Sequence, residues 1–302
     1  MIRINPVYRK ELKQTARMKR VAVLLVIFNS LLALFGLFSF FFTFNGVNAL
    51  DSTVNYADIL LIYVIITGIE FVLILFITPG LTAGSIAGER EKQTLDILLS
   101  TTMTSYSIIR GKLFASINIM LILSFSSLPI VAIVFSFGGI SIKEIMSLIF
   151  FLIVTAIYIG SIGIFFSSLC KRSTIATVCT YTTVLIITIG ITVLLMGNEF
   201  MKSISTTHDN IIINDLMSSE VDNSYLLLLI NPFFTFASML YNQVGIELGS
   251  FGTWRTQYQT TYYIFKHWFS ISIVVQIVIS YVLNVLSGKV LQSSYNKKEK
   301  RE

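Results

Sequence analysis

The chain has 302 residues, 54% of them hydrophobic and 13% charged, with a mean hydropathy of +0.78 and a formal net charge of +6. Its 17 glycines and 4 prolines do not have the composition of a fibrous chain, and apolar runs of 20 or more residues point to membrane spans. The two cysteines, Cys170 and Cys179, are too few for a disulfide framework.

Six apolar runs are long enough to cross a membrane as helices, and a barrel is excluded because the runs are continuous rather than alternating. A basic segment, residues 1–20, precedes the first run, and Asn5 with Pro6 is a suitable helix start. We therefore predict an all-α polytopic membrane protein with six transmembrane helices. The predicted spans cover residues 21–44, 58–82, 113–137, 145–169, 174–196 and 268–288.

Lysine and arginine residues divide unevenly between the two sides of these spans. Most of the 22 lie in residues 1–20, in residues 83–112, in the tail from Lys289, and at Lys171 and Arg172 in the turn between spans four and five. The positive-inside rule therefore predicts that both termini are cytoplasmic. Because orientation and contact with anionic membrane lipids explain the basic charge, no nucleic-acid partner is expected.

A shorter apolar segment, residues 226–241, lies between spans five and six. It has too few residues to cross the bilayer, and Asn231-Pro232 interrupts its backbone hydrogen bonding. A seventh span would also move the basic tail to the outside. We therefore expect a re-entrant or interfacial helix within an external cap that covers residues 197–267.

The sequence lacks a phosphate loop of the form GxxxxGK[ST], so ATP is not expected to bind to this chain. Its two histidines, His208 and His267, do not have the spacing of metal ligands. We predict no catalytic residue, no metal site and no cofactor in this chain.

Glu70 is an exception among nearly uncharged spans, and an ionisable residue at that depth is a candidate functional residue. Tyr63 and Thr67 share its helix face. Glu70 either lines a substrate pathway or is a buried carboxyl bonded to a neighbouring helix, with Asn29 as a candidate partner. Span five carries a similar polar stripe, which is either a wetted pathway or a set of threonines bonded to their own helix. The stripe contains Thr177, Tyr181, Thr188 and Thr192.

A dense charged segment, residues 88–103, separates spans two and three. Leu95 and Leu98 share one face at helical spacing. A helix this short and charged is expected at the membrane interface, with its leucines toward the lipid and its charges toward the cytoplasm. Thr104 or Ser105 is expected to cap the helix that leads into span three. The charged residues of the segment are Glu89, Arg90, Glu91 and Lys92.

The whole chain resembles the type-2 ABC transporter permeases, the membrane subunits of ABC exporters with the type V architecture. The most specific part is LTAGSIAGEREKQTLDILLSTTMTSYSIIRGKL, with its ExE pair, Thr-Leu, Leu-Leu and closing Gly-Lys. Five segments carry the resemblance, in the family's order. They are residues 5–20, 81–113, 127–141, 165–181 and 230–240.

The resemblance implies an amphipathic interfacial helix at the N-terminus, a cytoplasmic coupling helix over residues 88–103, and outer re-entrant helices between spans five and six. It implies a separate cytoplasmic ABC ATPase, which carries ATP and Mg²⁺, and a second permease subunit in a homo- or heterodimer. The ATPase contacts would be Glu89, Arg90 and Glu91. We expect a transport subunit, and not an enzyme, in the plasma membrane of a bacterium.

Two alternatives stay open from the residues themselves. One is a stand-alone secondary transporter or channel, although a lone intramembrane carboxylate argues against coupling to protons or sodium. The other is a membrane-embedded enzyme that uses Glu70, or the pair Glu89 and Glu91, as acid or base.

Overall fold

The computed structural model describes residues 6–17, 19–45, 56–95, 104–136, 140–195, 197, 223–245 and 267–299. Within these ranges the chain forms helices and turns, without a β-strand. Six of the described helices are long and apolar enough to cross a membrane. This confirms the predicted all-α fold with six transmembrane helices.

The helices are numbered in chain order. The long apolar ones are α2, α3, α5, α6, α9 and the helical stretch Ser173–Leu195 that begins with α7. Between α7 and α8 the chain adds a π-helical turn, Ile186–Gly190, directly after α7, and a 3₁₀ helix, Asn223–Ile230. The bounds are α1 Pro6–Arg17, α2 Lys19–Asn45, α3 Tyr56–Thr82, α4 Ala87–Glu91, α5 Ser105–Ser136, α6 Ile142–Leu169, α7 Ser173–Leu185, α8 Pro232–Val244 and α9 Trp268–Glu299.

Two spans extend well beyond the predicted apolar runs, and the others differ from them by only a few residues at their starts. Helix α5 begins at Ser105 instead of residue 113, and the Thr104 hydroxyl caps it by accepting the Ser107 N–H at 3.3 Å, as predicted. At 1.5 Å per residue, its 32 residues extend about 48 Å, against about 30 Å of hydrocarbon. Helix α9 likewise continues past residue 288 to Glu299. Apolar runs mark the lipid-crossing part of a helix and do not mark its ends.

Residues 1–181 and 277–302 form one compact unit. Within it α3 contacts α2, α5 and α6, and α6 also contacts α5. Helices α3 and α6 are in close contact where Gly160 and Gly163 of α6 face Thr78 and Thr82 of α3. Small residues permit such close approach between membrane helices, where dispersion and hydrogen bonds replace the hydrophobic effect.

We expect Gly163→Ala to destabilise the chain by about 1–3 kcal/mol, because a Cβ at this position would overlap the Thr82 side chain. Thermal unfolding of the purified chain in detergent measures the loss. Gly68→Ala in α3 is the matched control, since its Cβ would meet no atom within 4 Å. Equal unfolding temperatures for the two variants would contradict the close α3–α6 contact.

Residues 182–276 form a second compact unit. Its described apolar cluster joins the end of span five, the 3₁₀ helix, α8 and the start of α9. The predicted interruption is present: the 3₁₀ helix ends at Ile230, and α8 starts with Pro232 in its first turn. Most of the predicted cap, residues 198–222 and 246–266, lies outside the described residues.

Candidate functional site

The segment that follows α3, residues 83–95, contains a helix that ends early. Helix α4 stops at Glu91, and Gln93 has a left-handed backbone with φ of 58°. The Thr94 N–H donates to the Glu89 carbonyl at 3.0 Å, and the Gln93 N–H donates to the Arg90 carbonyl at 3.1 Å. This is a Schellman ending. The predicted single helix over residues 88–103 is therefore wrong in its first part, and residues 96–103 lie outside the described ones.

The start of α4 is attached to the end of α6 by one hydroxyl. The N–H groups of Ile86 and Ala87 both donate to Ser167 Oγ, at 2.9 and 3.0 Å. The first N–H groups of a helix have no partner within the helix, so this hydroxyl satisfies two donors that would otherwise be buried and unpaired. The two bonds join positions 81 and 80 residues apart in the chain.

Arg90 fixes the other end of α4 to the same helix. Its guanidinium donates to the carbonyl of Cys170 at 2.6 Å and to that of Ser168 at 3.1 Å. These carbonyls belong to the end of α6, where helix carbonyls lack partners and carry partial negative charge. A planar cation with several donors suits two carbonyls at once. Arg90 therefore makes intramolecular contacts in place of the predicted solvent-facing position.

Glu91 attaches the segment to the start of α7. Its carboxylate accepts the N–H of Ser173 at 2.9 Å and the hydroxyl of Ser173 at 2.7 Å. These two hydrogen bonds, followed by the charge of Arg172, hold the pKa of Glu91 below its usual range. The two bonds contribute fully to the stability of the fold at a pH above the ordinary carboxylate pKa. This contribution is lost as the pH falls through the lowered pKa that Glu91 has in the folded state. Lys171 and Arg172, the predicted second basic turn, are exposed next to this contact.

Glu89 joins the segment to the first turns of α5. Its carboxylate lies 2.8 Å from Lys112 Nζ, which also contacts Glu11 of α1 at 3.3 Å and the Ser85 carbonyl at 3.0 Å. Lys112 is only 5% exposed. A buried ammonium is tolerated when its three donors are all satisfied. One lysine therefore connects α1, the 83–95 segment and α5.

Leu95 is buried inside the protein. It is 5% exposed and packs in a cluster with Ile86, Ile109, Leu113 and Leu291 among others. The prediction that Leu95 anchors the segment to lipid is therefore corrected: its apolar partners come from α5, α6 and α9. Leu98 lies outside the described residues.

The tip of the segment is its exposed part. Lys92, Gln93 and Thr94 are exposed, in contrast to Ile86, Ala87 and Leu95 on either side. The segment therefore combines an attached base, held at α5, α6 and α7, with a solvent-accessible turn. The sequence predicted the charges and missed their partners, because Ser167, Cys170 and Ser173 have no local signal that ties them to residues 86–91.

The polar stripe of span two is buried among helices. Tyr63, Thr67 and Glu70 are each at most 1% exposed, and Thr67 donates to the Tyr63 carbonyl at 2.8 Å. Glu70 Oε1 accepts the Ser127 hydroxyl at 2.6 Å, while Oε2 has no partner among the described residues. Asn29, the candidate partner, instead donates to Ser126 at 2.9 Å. A pathway role for Glu70 stays a prediction.

The polar stripe of span five makes hydrogen bonds mainly within its own helix. Thr177, Thr188 and Thr192 each donate to the carbonyl four residues earlier. Tyr181 donates to the Phe76 carbonyl of α3 at 2.7 Å. These bonds satisfy the hydroxyls without water, so the stripe does not need a wetted pathway to explain it.

Asn231 does more than mark a break in the chain. Its Oδ1 accepts the Phe233 N–H at 2.9 Å and caps α8. Its Nδ2 donates to the Thr188 carbonyl at 3.0 Å and to the Thr192 hydroxyl at 2.9 Å. Thr188 lies in the π-helical turn, where the regular backbone ladder is interrupted. One fully buried amide thus joins α8 to span five.

We expect Asn231→Ala to cost about 2–3 kcal/mol, from the lost cap and the lost donor. Asn231→Asp separates the two roles: it keeps the cap acceptor, loses both donors and puts a buried carboxylate against a carbonyl. It should therefore be at least as damaging as the alanine variant. Hydrogen exchange across residues 223–244 reports the loss. Wild-type protection in Asn231→Asp would mean that the contacts with Thr188 and Thr192 carry no stability.

Comparison with known proteins gives one family match. The family model described as ABC-2 family transporter protein matches residues 5–287, nearly the whole chain. The search of curated proteins finds no match. The matched range includes α1, the 83–95 segment, the first five membrane spans, α8 and α9 as far as residue 287.

Proposed function

The chain belongs to the ABC-2 transporter family and is a membrane component of an ABC transporter, and we propose that it is the permease subunit of an ATP-driven exporter. ATP hydrolysis would take place on separate cytoplasmic ATPase subunits, which carry the ATP and Mg²⁺. The permease would form the translocation pathway as a dimer with a second permease subunit.

The observation that supports coupling is the attachment of the 83–95 segment to three spans. Hydrogen bonds and an ion pair tie its base to α5, α6 and α7. A displacement of the segment would move the ends of those spans with it for as long as these polar contacts hold. The segment can therefore transmit a force applied at its exposed turn to the spans that hold its base.

The exposed tip is the part of the segment that a partner can touch. Lys92, Gln93 and Thr94 offer a charge, an amide and a hydroxyl on a tight turn. We propose that this tip docks on the ATPase together with Leu98, which lies outside the described residues, and that Glu91 belongs to the base through its bonds to Ser173 of α7. Glu89 and Arg90 would act as positioning residues that hold the base. The proposal thus divides the predicted coupling residues, Glu89, Arg90, Glu91, Lys92, Leu95 and Leu98, into a tip and a base.

The proposed orientation places the 83–95 segment, the turn at Lys171 and Arg172, and both termini in the cytoplasm. Support comes from the positive-inside rule, because these segments hold most of the basic residues. Six apolar helices and the family membership establish a multi-pass membrane protein. The plasma membrane of a bacterium is the proposed location.

Co-purification tests this proposal. The tagged full-length chain, extracted from its native membrane, should retain an ABC ATPase that mass spectrometry identifies by its phosphate loop. Lys92→Glu should lower that recovery about five-fold, because it reverses the charge at the docking tip and so removes the charge complementarity with the ATPase surface. The matched control is Lys143→Glu, the same charge change at an exposed lysine on the predicted outer side. No retained ATPase, or equal losses in both variants, would contradict the proposal.

A further inference from the structure

A groove between α2 and α3 combines an apolar wall with two cations at one end. It encloses about 450 Å³. Lys19 and Arg20, the first residues of α2, line one end of it. Ile27 and Leu31 of α2 and side chains of α3 line the rest. The residues that line the groove include no acidic side chain.

The dimensions fit one acyl chain. From Lys19 to Leu31 the α2 wall extends about 18 Å at 1.5 Å per residue. The hydrocarbon of one leaflet is about 15 Å thick. Leu73 and Ile77 close the groove on the α3 side. An acyl chain that runs along this wall would end at the depth of Leu31, and its headgroup would lie at the level of the two cations.

We propose that the groove is a binding site for an anionic phospholipid, with the headgroup phosphate on Lys19 and Arg20 and one acyl chain along the α2–α3 wall. The apolar wall alone offers no selectivity, because lipid chains are as apolar as leucine. Selectivity comes from the cations, and each of them raises the preference for an anionic headgroup about five-fold. The positive-inside orientation puts the start of α2 in the leaflet that is rich in such lipids.

A lipid fits this groove better than a second copy of the chain. Most symmetric dimers pair the same face of each subunit. Such a pairing would bring Lys19 and Arg20 against their own counterparts, and like charges in a medium of low dielectric constant repel strongly. The negative charge of a headgroup phosphate attracts both cations and avoids that repulsion. The proposal does not depend on an ATPase partner or on transport.

Native mass spectrometry of the purified full-length chain tests the proposal. The probe is an equimolar mixture of phosphatidylglycerol and phosphatidylcholine with identical acyl chains. The wild type should retain phosphatidylglycerol with a preference of about 25-fold. In Lys19→Gln with Arg20→Gln the preference should fall close to one. Arg9→Gln with Lys10→Gln, an equal charge loss on the exposed side of α1, should keep it within about two-fold.

Two further variants separate binding from folding and test the apolar wall. Lys19→Arg with Arg20→Lys keeps both cations and should keep the preference. Ile27→Trp fills the groove at a half-exposed position and should lower phosphatidylglycerol retention with both cations intact. Equal loss in the two glutamine variants would mean attraction by net charge alone. Full retention in Ile27→Trp would mean that no acyl chain occupies the groove. Either result overturns the proposal.

Discussion

Lys112→Met should destabilise the chain more than any surface charge substitution, by about 3 kcal/mol. Lys112 is 5% exposed, and its ammonium contacts two carboxylates and one carbonyl. Removing one partner of a buried ion pair leaves the other charge without compensation, and this accounts for most of the cost. Glu89 would keep a partly buried carboxylate with no cation. Thermal unfolding of the full-length chain in detergent measures the effect.

A second substitution distinguishes this cause from lost packing. Lys112→Met combined with Glu89→Gln removes the closer of the two carboxylates that lose their cation and leaves Glu11, so the double variant should recover part of the lost stability. Lys13→Met, at an exposed lysine of α1, is the control and should change stability by less than about 0.5 kcal/mol. A double variant less stable than Lys112→Met would contradict the ion pair as the source of stability.

Arg90→Ala should uncouple the transporter while leaving it assembled. The substitution removes both donors to the α6 carbonyls and leaves the tip at Lys92, Gln93 and Thr94 in place. We expect the ATPase to co-purify at the wild-type level, and any stimulation of its hydrolysis by the permease to fall at least ten-fold. The physical reason is that the segment keeps its contact with the ATPase and loses the guanidinium bonds that hold the end of α4 to α6, so that only the Ser167 hydroxyl still joins it to that helix.

The control for Arg90→Ala is Arg110→Ala, which removes an exposed arginine from the first turns of α5. It should leave both ATPase recovery and ATP hydrolysis unchanged. Arg90→Lys should fall between the two, because an ammonium reaches two carbonyls less well than a planar guanidinium. Loss of the ATPase itself in Arg90→Ala would place Arg90 in the docking surface instead of the base.

Features that depend on local physics could be predicted from the sequence. Apolar runs of sufficient length marked the six spans, because an unpaired backbone is excluded from hydrocarbon. Asn231-Pro232 marked the start of α8, because proline lacks an N–H donor. Thr104 was one of two predicted caps for α5, and its hydroxyl fills that role. Each of these rests on neighbours within a few residues.

Features that depend on distant partners could not be predicted. Leu95 lies on an apolar stripe that suits lipid and protein equally, and only the positions of α5 and α9 determine that it packs inward. The residue that ends α4 with a left-handed backbone is usually glycine, but here it is Gln93. The sequence therefore carries no signal for this helix end. The partners of Arg90 and Glu91 lie about 80 residues away. The density of charged residues predicted that the segment is functional. Its attachment to α5, α6 and α7 depends on tertiary contacts that the sequence does not show.

The central claim is that the 83–95 segment passes ATP-driven motion to the spans through its attached base, and a native thiol tests it most directly. Cys179 of α7 is half-buried and lies about 9 Å along the helix from Ser173, the partner of Glu91. Cys170→Ser leaves Cys179 as the one thiol of the chain. The rate at which a thiol reagent modifies Cys179 in the permease–ATPase complex, with and without ATP and vanadate, can be measured on the peptide that contains this residue. We expect the nucleotide to change that rate several-fold, and the change to disappear in Arg90→Ala with Glu91→Gln. The same nucleotide effect in that variant would contradict the account.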